Sequence, residues 1–588
     1  MKHTVILIAW MIILTGCRSA SWHREKADRA ATANIAAAQQ AALGRTEEIR
    51  LGTAADALRS RLLDDHSLPG MQVFLDSAPP HALPTLPDPF VLDPVTALQV
   101  AARNSRSFQQ SKEQLFTAAL GLDLEQSSFR QAFASELELN IEEDRSGEDP
   151  VRGISASAPL RATRTFQNGV TWTGSLAVDL VRLLTQGSAS SVGILADTGI
   201  TIPLLRGSGR EIAAEPLRQA ERDMLYAVME FERFKRTFAF DIFGSYLDVL
   251  QAASQIENAR QNYESLIQSR KRARRLTDAG RLPAFQYDQT VQDELRARNR
   301  WIDAREQHAS RLDRFIFDLG LPPDARIQLD DTILPELVDA LLLNNQDENT
   351  NERVGPDQDT AIRFALDNRL DLQIARMRTE DAARKIKIAE DAFRPEVTLG
   401  GRVRTGESRA SFSAAEQDNA RLDLGARRTS GFLNIDLALD RRRERIAYRR
   451  ALIALDAAHR EAAQLEDRVK LEIRDSLRRL HQTREALEIQ QQAAVLAEQR
   501  VHSTDMFLQA GRAQIRDVLE AREALVNARN ALTSAAVNHR LAQLRFQRDA
   551  DLLEMSIDGT LQEQQLAQHM QTAQSDNEVF HEEEQHEH

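Results

Sequence analysis

Hydrophobic positions change period several times along this chain, and each change marks an element. Between 95 and 133 they recur at helical spacing (Leu98, Ala101, Ala102 and Phe108, then Leu115, Ala118, Ala119 and Leu122), which predicts a helix. From 134 to 143 the period drops to two. Leu137, Leu139 and Ile141 alternate with Glu136, Glu138, Asn140 and Glu142, the pattern of a strand with one apolar and one polar face. Residues 168–180 alternate too, with Val170, Trp172, Leu176 and Val178 set against Thr171, Thr173, Ser175 and Asp179. A further strand, 192–205, ends in Ile200-Thr201-Ile202-Pro203-Leu204-Leu205. A long helical run follows over 212–276, where Pro216 is tolerable only in the first turn or as a kink. After a turn at Asp278-Ala279-Gly280-Arg281-Leu282, a second helix over 284–319 stops at Gly320, Pro322 and Pro323.

The order then recurs. Thr96-Ala97-Leu98 through Asn104 lines up with Thr360-Ala361-Ile362 through Asn368, and Phe129 with Phe393. Val397, Leu399 and Val403 alternate with Thr398, Arg402 and Arg404 in one strand, and Leu433, Ile435, Leu437 and Leu439 mark another. A helix over 441–507 carries the stripe Leu465, Val469, Ile473, Leu477, Leu480 and Leu487. Gln509-Ala510-Gly511-Arg512-Ala513 is its turn, and 514–553 the returning helix. One offset relates Asp241-Ile242-Phe243-Gly244-Ser245 to Glu472-Ile473-Arg474-Asp475-Ser476 and Gly280 to Gly511, so the chain reads as a duplicated unit ending in a helical hairpin.

The first half has three strand candidates and the second two. A chain returning to the same side of a membrane needs an even number. The match of Leu204-Leu205-Arg206 with the 437–443 region makes 192–205 the return strand. Stretch 168–180 is then either an external hairpin or an extension of the first strand.

At 588 residues the chain exceeds one ordinary domain, and 28% charged with 5% aromatic residues suits long helices packed side by side. A formal net charge of -13 argues against general nucleic-acid binding, which needs a basic face. The single cysteine, Cys17, follows Leu14-Thr15-Gly16, behind Lys2 and an apolar run from Val5 to Leu14. That run is too short to span a bilayer and reads as a secretory leader, 1–16. Leu-x-Gly-Cys resembles a bacterial lipobox, which implies covalent lipid on Cys17; Arg18 rather than Asp beside it favours the outer membrane. With no other cysteine there is neither a disulfide framework nor a thiolate metal site. Residues 17–90 read as a lipid anchor, a short helix and a Pro-rich extension, 325–357 as a polar linker, and 556–588 as a disordered acidic tail containing histidines. The repeats occupy 91–324 and 358–555.

Helix, strands, long helix, glycine turn and helix, twice over behind a lipobox, resembles the outer-membrane efflux protein (TolC) family. The more specific residues are Pro203-Leu204-Leu205-Arg206-Gly207 at a strand-to-helix junction, Phe393-Arg394-Pro395 before a strand, and Gly511 followed by Asp517-Val518-Leu519-Glu520-Ala521. The resemblance implies a mainly α protomer with a membrane β-barrel: a homotrimer in which four strands per chain make a twelve-stranded barrel in the outer membrane, continuous with a long periplasmic α-barrel. It implies a passive exit duct serving a periplasmic adaptor and an inner-membrane pump of RND or ABC type. It places acids six and nine residues after the second turn glycine, here Asp517 and Glu520, at a pore constriction where clustered carboxylates favour cations. It makes the turns adaptor-docking tips, at Gly280, Arg281 and Leu282 and at Gly511 and Arg512; Arg270, Lys271, Arg272, Arg274 and Arg275 make the first basic. Two positions depart from the family's closure latch: Gln286 stands for an acid and Leu508 for a tyrosine. No nucleophile–base pair stands out, so an enzyme is not expected, and neither a cofactor nor a metal site is called for. The alternative to a duct is a structural coiled-coil lipoprotein that spans the periplasm without a pore; the alternating strands discriminate the two.

Overall fold

The computed structural model describes residues 19–49, 51, 90–144, 151–185, 189–323, 325–344, 357–409, 415–437, 439–510 and 512–563. Cys17 and the leader, most of the Pro-rich extension, Gly511 and residues 564–588 of the tail lie outside the described residues; the start of the tail, expected to be disordered from 556, instead holds a strand, Leu561–Glu563, paired with Leu553–Met555.

In chain order the first half contains α1 (Ala20–Leu43), β1 (Phe90–Leu92), α2 (Pro94–Asn104), α3 (Arg106–Ser128), β2 (Ala132–Ser135), β3 (Glu138–Asp144), β4 (Val151–Thr165), β5 (Thr171–Leu183), β6 (Ser190–Pro203), α4 (Glu215–Asp278) and α5 (Ala284–Asp318). Between the repeats come β7 (Ile327–Leu329) and α6 (Ile333–Asn344). The second half contains α7 (Gln358–Asn368), α8 (Leu370–Asp391), β8 (Glu396–Glu407), β9 (Arg427–Asp436), α9 (Arg442–Gln509), α10 (Ile515–Asp549), β10 (Leu553–Met555) and β11 (Leu561–Glu563).

The single helix expected over 95–133 is two, and the reason recurs in the second repeat. Asp93 caps α2 through the Thr96 N–H and Pro94 opens its first turn; Asp357 caps α7 through the Thr360 N–H. Both helices then stop at a residue with extended ψ, Ser105 at 131° and Arg369 at 118°. Caps and breaks share one offset, so the kink belongs to the duplicated unit. The stretch expected as a linker also carries structure: β7 pairs in parallel with β1, and Val338, Leu341 and Leu342 of α6 pack on Leu487, Ala535 and Ala536.

The chain divides into two compact units, 1–46 with 115–228 and 374–462, and 47–114 with 229–373 and 463–588. Each draws on both repeats, so duplication in sequence is not division in space. In the first unit Ala31, Ile35 and Ala38 of α1 are buried, and the Asn34 amide donates to the Ala119 carbonyl at 3.2 Å. Its main element is an antiparallel sheet in the order β2–β4–β5–β6–β8–β9, with β3 also on β4. β2 and β3 meet β4 in one continuous register, Ser135 opposite Leu160 and Glu138 opposite Ser157. They are one strand, its ladder interrupted opposite Pro159, which has no N–H to donate. The sheet therefore makes six passes, two more than the four that the resemblance implies.

Stretch 168–180 is neither an external hairpin nor an extension of the first strand: β5 lies inside the sheet, paired along its length with β4 and β6. β4 was not foreseen. Only Ile154 and Leu160 are bulky on its apolar face, with the weakly apolar Ala156, Ala158 and Ala162 filling the rest, and Pro159 argues locally against a strand. The last strand lies at 427–436, earlier than its Leu437 and Leu439 signal.

In the second unit, Phe108 packs among Phe231, Phe234 and Phe238 with ring centroids 5.8, 5.9 and 5.0 Å away. Val469, Ile473 and Leu477 of the foreseen α9 stripe bury against Ala361, Ile362 and Ala365 of α7. Among the described residues no helix is long and apolar enough to cross a membrane.

Candidate functional site

Two surfaces carry the chemistry that the sequence points to. The first is the sheet. Because side chains alternate and the register is continuous, every pass contributes to the same two faces. Leu139, Ala156, Leu180 and Val192 follow one another across the strands on one face, and Ile141, Ile154, Arg182 and Ser190 lie one step along it. Farther down, Val397 faces Ile435 and Leu399 faces Leu433. This face is exposed: Ile141 is 77% accessible, Leu139 64%, Leu433 57% and Ile435 54%. A contiguous exposed apolar sheet face is costly in water and suited to lipid.

The opposite face presents Asn140, Ser155, Ser157, Thr173, Ser175, Asp179, Asp197, Arg402 and Arg404. Arg402 pairs with Asp197 at 3.5 Å. Asp179 accepts from the Ser157 hydroxyl at 2.8 Å, from the Ser408 hydroxyl, and from the Arg409 N–H at 3.3 Å. Ser408 and Arg409 start the β8–β9 loop, whose Ala415 covers Val181 and Leu183 on that same face. The loop carries no periodic signal, so nothing in the sequence placed it there.

The Pro203-Leu204-Leu205-Arg206-Gly207 motif holds the corner at the other end of the sheet. The Leu204 N–H donates to the Val397 carbonyl at 2.7 Å and the Gly207 N–H to Asp391 Oδ2 at 2.7 Å, joining the two repeats. Phe393 of the matched Phe-Arg-Pro packs edge-on to Tyr448, centroids 5.8 Å apart, and its carbonyl accepts from Arg441.

The second surface is the pair of hairpin tips. Gly280 has φ +66°; its N–H donates to the Thr277 carbonyl at 2.9 Å and the Arg281 N–H to Leu276 at 2.8 Å, closing the end of α4 with a left-handed glycine. The second tip repeats the longer bond, Arg512 N–H to the Phe507 carbonyl at 2.8 Å, around Gly511, which itself lies outside the described residues. The tips are joined. Leu266, Ala273 and Ala297 of the first hairpin form one buried cluster with Ile515 and Leu519 of the second, flanked by Leu276, Leu282 and Leu508. Lys271, Arg272, Arg274, Arg275 and Arg281 are exposed, whereas Arg270 pairs with Glu294 at 2.7 Å. Phe285, 67% exposed, and Phe507, 52% exposed, give the tips apolar knobs that sequence reasoning did not single out.

Asp517 and Glu520 follow the second tip, and each has a local partner. Asp517 Oδ2 accepts the Gln514 N–H at 2.9 Å, a reach back across the first turn of α10 that satisfies one of the helix's free donors. Glu520 is exposed and pairs with Arg500 at 3.1 Å. Neighbouring Glu523 pairs with Arg300, and Arg522 with Asp505 at 3.2 Å. The two acids therefore sit one turn apart on α10, among arginines.

Residues 361–548 match the family model described as outer membrane efflux protein. Among curated proteins none matches the chain. Solved structures share its fold: CusC, whose study concerns transmembrane channel formation, at 14% identity and TM-score 0.54, covering 81% of this chain and 99% of that one. The CmeC outer membrane channel of Campylobacter jejuni does so at 12% and 0.54, covering 82% and 89%, and the outer membrane protein VceC of Vibrio cholerae at 14% and 0.53, covering 77% and 95%. The second repeat thus matches the outer membrane efflux protein model, and over most of its length the chain has the fold of these outer-membrane channels.

Proposed function

We propose that this chain is the outer-membrane exit duct of a tripartite efflux system, a homotrimer anchored by lipid on Cys17. In this reading it receives cargo from an inner-membrane pump of RND or ABC type through a periplasmic adaptor. The observation that carries the duct is the six-pass sheet with one exposed apolar face and one polar face. Such a sheet has two open edges, which lipid does not tolerate, so copies must close it. A coiled-coil lipoprotein without a pore has no use for that face. The purified chain is expected to run as heat-sensitive trimers and to conduct ions in planar bilayers; a monomeric, non-conducting product overturns the reading. Cys17→Ser is expected to abolish incorporation of labelled palmitate.

The tips serve as docking points in this proposal, with Gly280, Arg281, Leu282, Gly511 and Arg512 at their ends and a basic first tip to meet an acidic adaptor surface. Asp517 and Glu520, three copies of each, line the constriction and favour cations. Asp517 also caps α10, so the charge must be removed without the cap. Asp517→Asn with Glu520→Gln keeps an acceptor for the Gln514 N–H and is expected to lower cation selectivity, read as the reversal potential across a salt gradient. An unchanged reversal potential in this double variant refutes the pore role.

A further inference from the structure

The six passes bear directly on barrel size. We propose that the β4–β5 hairpin spans the membrane beside the other four passes, so that the assembled barrel has eighteen strands rather than twelve. This rests on the trimeric duct reading above.

Three observations place the hairpin in the bilayer. First, its faces are those of the whole sheet. Ala156, Ala158 and Leu160 on β4 lie opposite Leu180, Val178 and Leu176 on β5, and Ile154 and Ala162 extend the same face to Arg182 and Gly174, in register with the exposed apolar positions on either side. Second, the apolar run has membrane height. Nine residues from Ile154 to Ala162 rise about 27 Å along the strand, or about 20 Å at a ~40° tilt, near the ~25 Å apolar band of outer-membrane barrels. Arg152 and Arg182 bracket the run at one end, and Arg164 with Trp172 at the other, where charged and aromatic side chains meet headgroups. Third, the hairpin cannot be an appendage. β5 pairs with β6 from Thr171 to Arg182, and β6 pairs with β8 from Ile194 to Pro203, so removing β4 and β5 from the membrane would expose the β6 ladder.

The edges fit closure by further copies of this chain. The passes alternate in direction across the sheet, so the first strand, 132–144, and the last, β9, run oppositely. An edge of one copy can then accept the other edge of the next in antiparallel pairing. β2 and β9 are exposed along their whole length, as unpaired edges are. Three such sheets enclose a barrel about 36 Å across between backbones, against about 24 Å for twelve strands, at ~4.8 Å strand spacing and ~40° tilt. The membrane segment is then porin-wide between backbones, with the β8–β9 loop lying on its polar, inward face.

The test is spin labelling of single cysteines in the full chain, reconstituted in lipid vesicles, with oxygen as the lipid-phase relaxer and nickel ethylenediaminediacetate as the aqueous one. Ala156→Cys, Leu160→Cys, Leu176→Cys and Val178→Cys are expected to be reached by oxygen and to lose access to nickel. Thr163→Cys and Ser175→Cys are expected to show the reverse, giving a period of two along both strands. Aqueous access at all six positions overturns the inference. Lipid access at Leu139, Leu399 and Leu433 in that case leaves the duct reading standing, and aqueous access there too removes both. A threefold particle whose barrel images as twelve strands also overturns the eighteen-strand proposal.

Discussion

Replacing Lys235 with methionine is expected to destabilise the folded chain by about 3–5 kcal/mol, the range for removing one partner of a buried ion pair. The Lys235 side chain is 0% exposed; its Nζ lies 2.8 Å from Glu47 Oε2 and 2.7 Å from Glu232 Oε1. Its stem runs beside Phe231, with Nζ 5.6 Å from the ring centroid. Methionine reproduces the stem and its packing but not the charge, so Glu232, itself 3% exposed, loses the Lys235 ammonium from a buried position. Glu47 lies 188 positions before Lys235 in the chain, so this lysine also fixes a contact distant in sequence within the second unit. The readout is the midpoint on heating at a fixed rate, because a chain of two units does not promise one reversible transition. Adding Glu232→Gln and Glu47→Gln to Lys235→Met is expected to recover much of the loss, since neutral amides need no cation. If Lys235→Met leaves the midpoint unchanged, the pair contributes nothing and the account is wrong.

Helices were the most legible elements because their signals accumulate over many residues. The ends of α4, α5 and α9 fall within three residues of those read from periodicity and glycine turns, and Pro216 stands in the first turn of α4, where its missing N–H costs nothing. The strands with bulky alternation, Leu139 with Ile141, Trp172 with Val178 and Leu399 with Val403, were legible too. β4 was not, because between Ile154 and Leu160 alanine alternates with serine, which differs too little in hydropathy to show a period of two, and Pro159 interrupts the pattern. The even-number argument then went astray through its count: with β4 unseen, β5 looked surplus. An alternating segment that leaves an odd count is thus a reason to search its flanks for a weak strand before demoting it.

The site was legible as positions and not as contacts. The glycine turns, the acids after Gly511 and the junction motif all came from the repeat and the resemblance. That Asp517 caps its own helix, that Glu520 meets Arg500 on α9 and that the two tips share one cluster depend on side-chain reach between helices, which no one-dimensional spacing encodes. The Arg369 break shows the same limit. An arginine between Asn368 and Leu370 reads as a solvated residue on a helix, yet it is 1% exposed, held between Asp371 at 2.7 Å and Glu472 at 2.6 Å. Asp371 is held below the usual carboxylate range, its burial outweighed by the hydrogen bonds and charges of Arg369 and Arg233.

Two glycines of the first hairpin separate conformational strain from crowding. Gly280 and Gly320 both have positive φ, +66° and +77°. A Cβ at Gly280 would meet nothing within 4 Å, whereas one at Gly320 would stand 2.2 Å from the Asn104 carbonyl oxygen and 2.4 Å from its carbon. Those atoms are backbone at the α2–α3 break, fixed on one side by the Ser105 N–H to Ala101 hydrogen bond at 2.8 Å, so they cannot give way as a flexible side chain would. Gly280→Ala is therefore expected to cost only the left-handed penalty, about 1–2 kcal/mol. Gly320→Ala carries that penalty and an overpacking cost, about 2–5 kcal/mol in total. In the same fixed-rate heating experiment the Gly320 variant should fall well below the Gly280 variant. Equal midpoints would mean that the close approach of Gly320 to Asn104 relaxes freely and does not hold the α2–α3 corner. The larger loss at Gly320 instead ties the end of α5 to the start of the first repeat, an attachment made by backbone alone, which only a residue without a side chain permits.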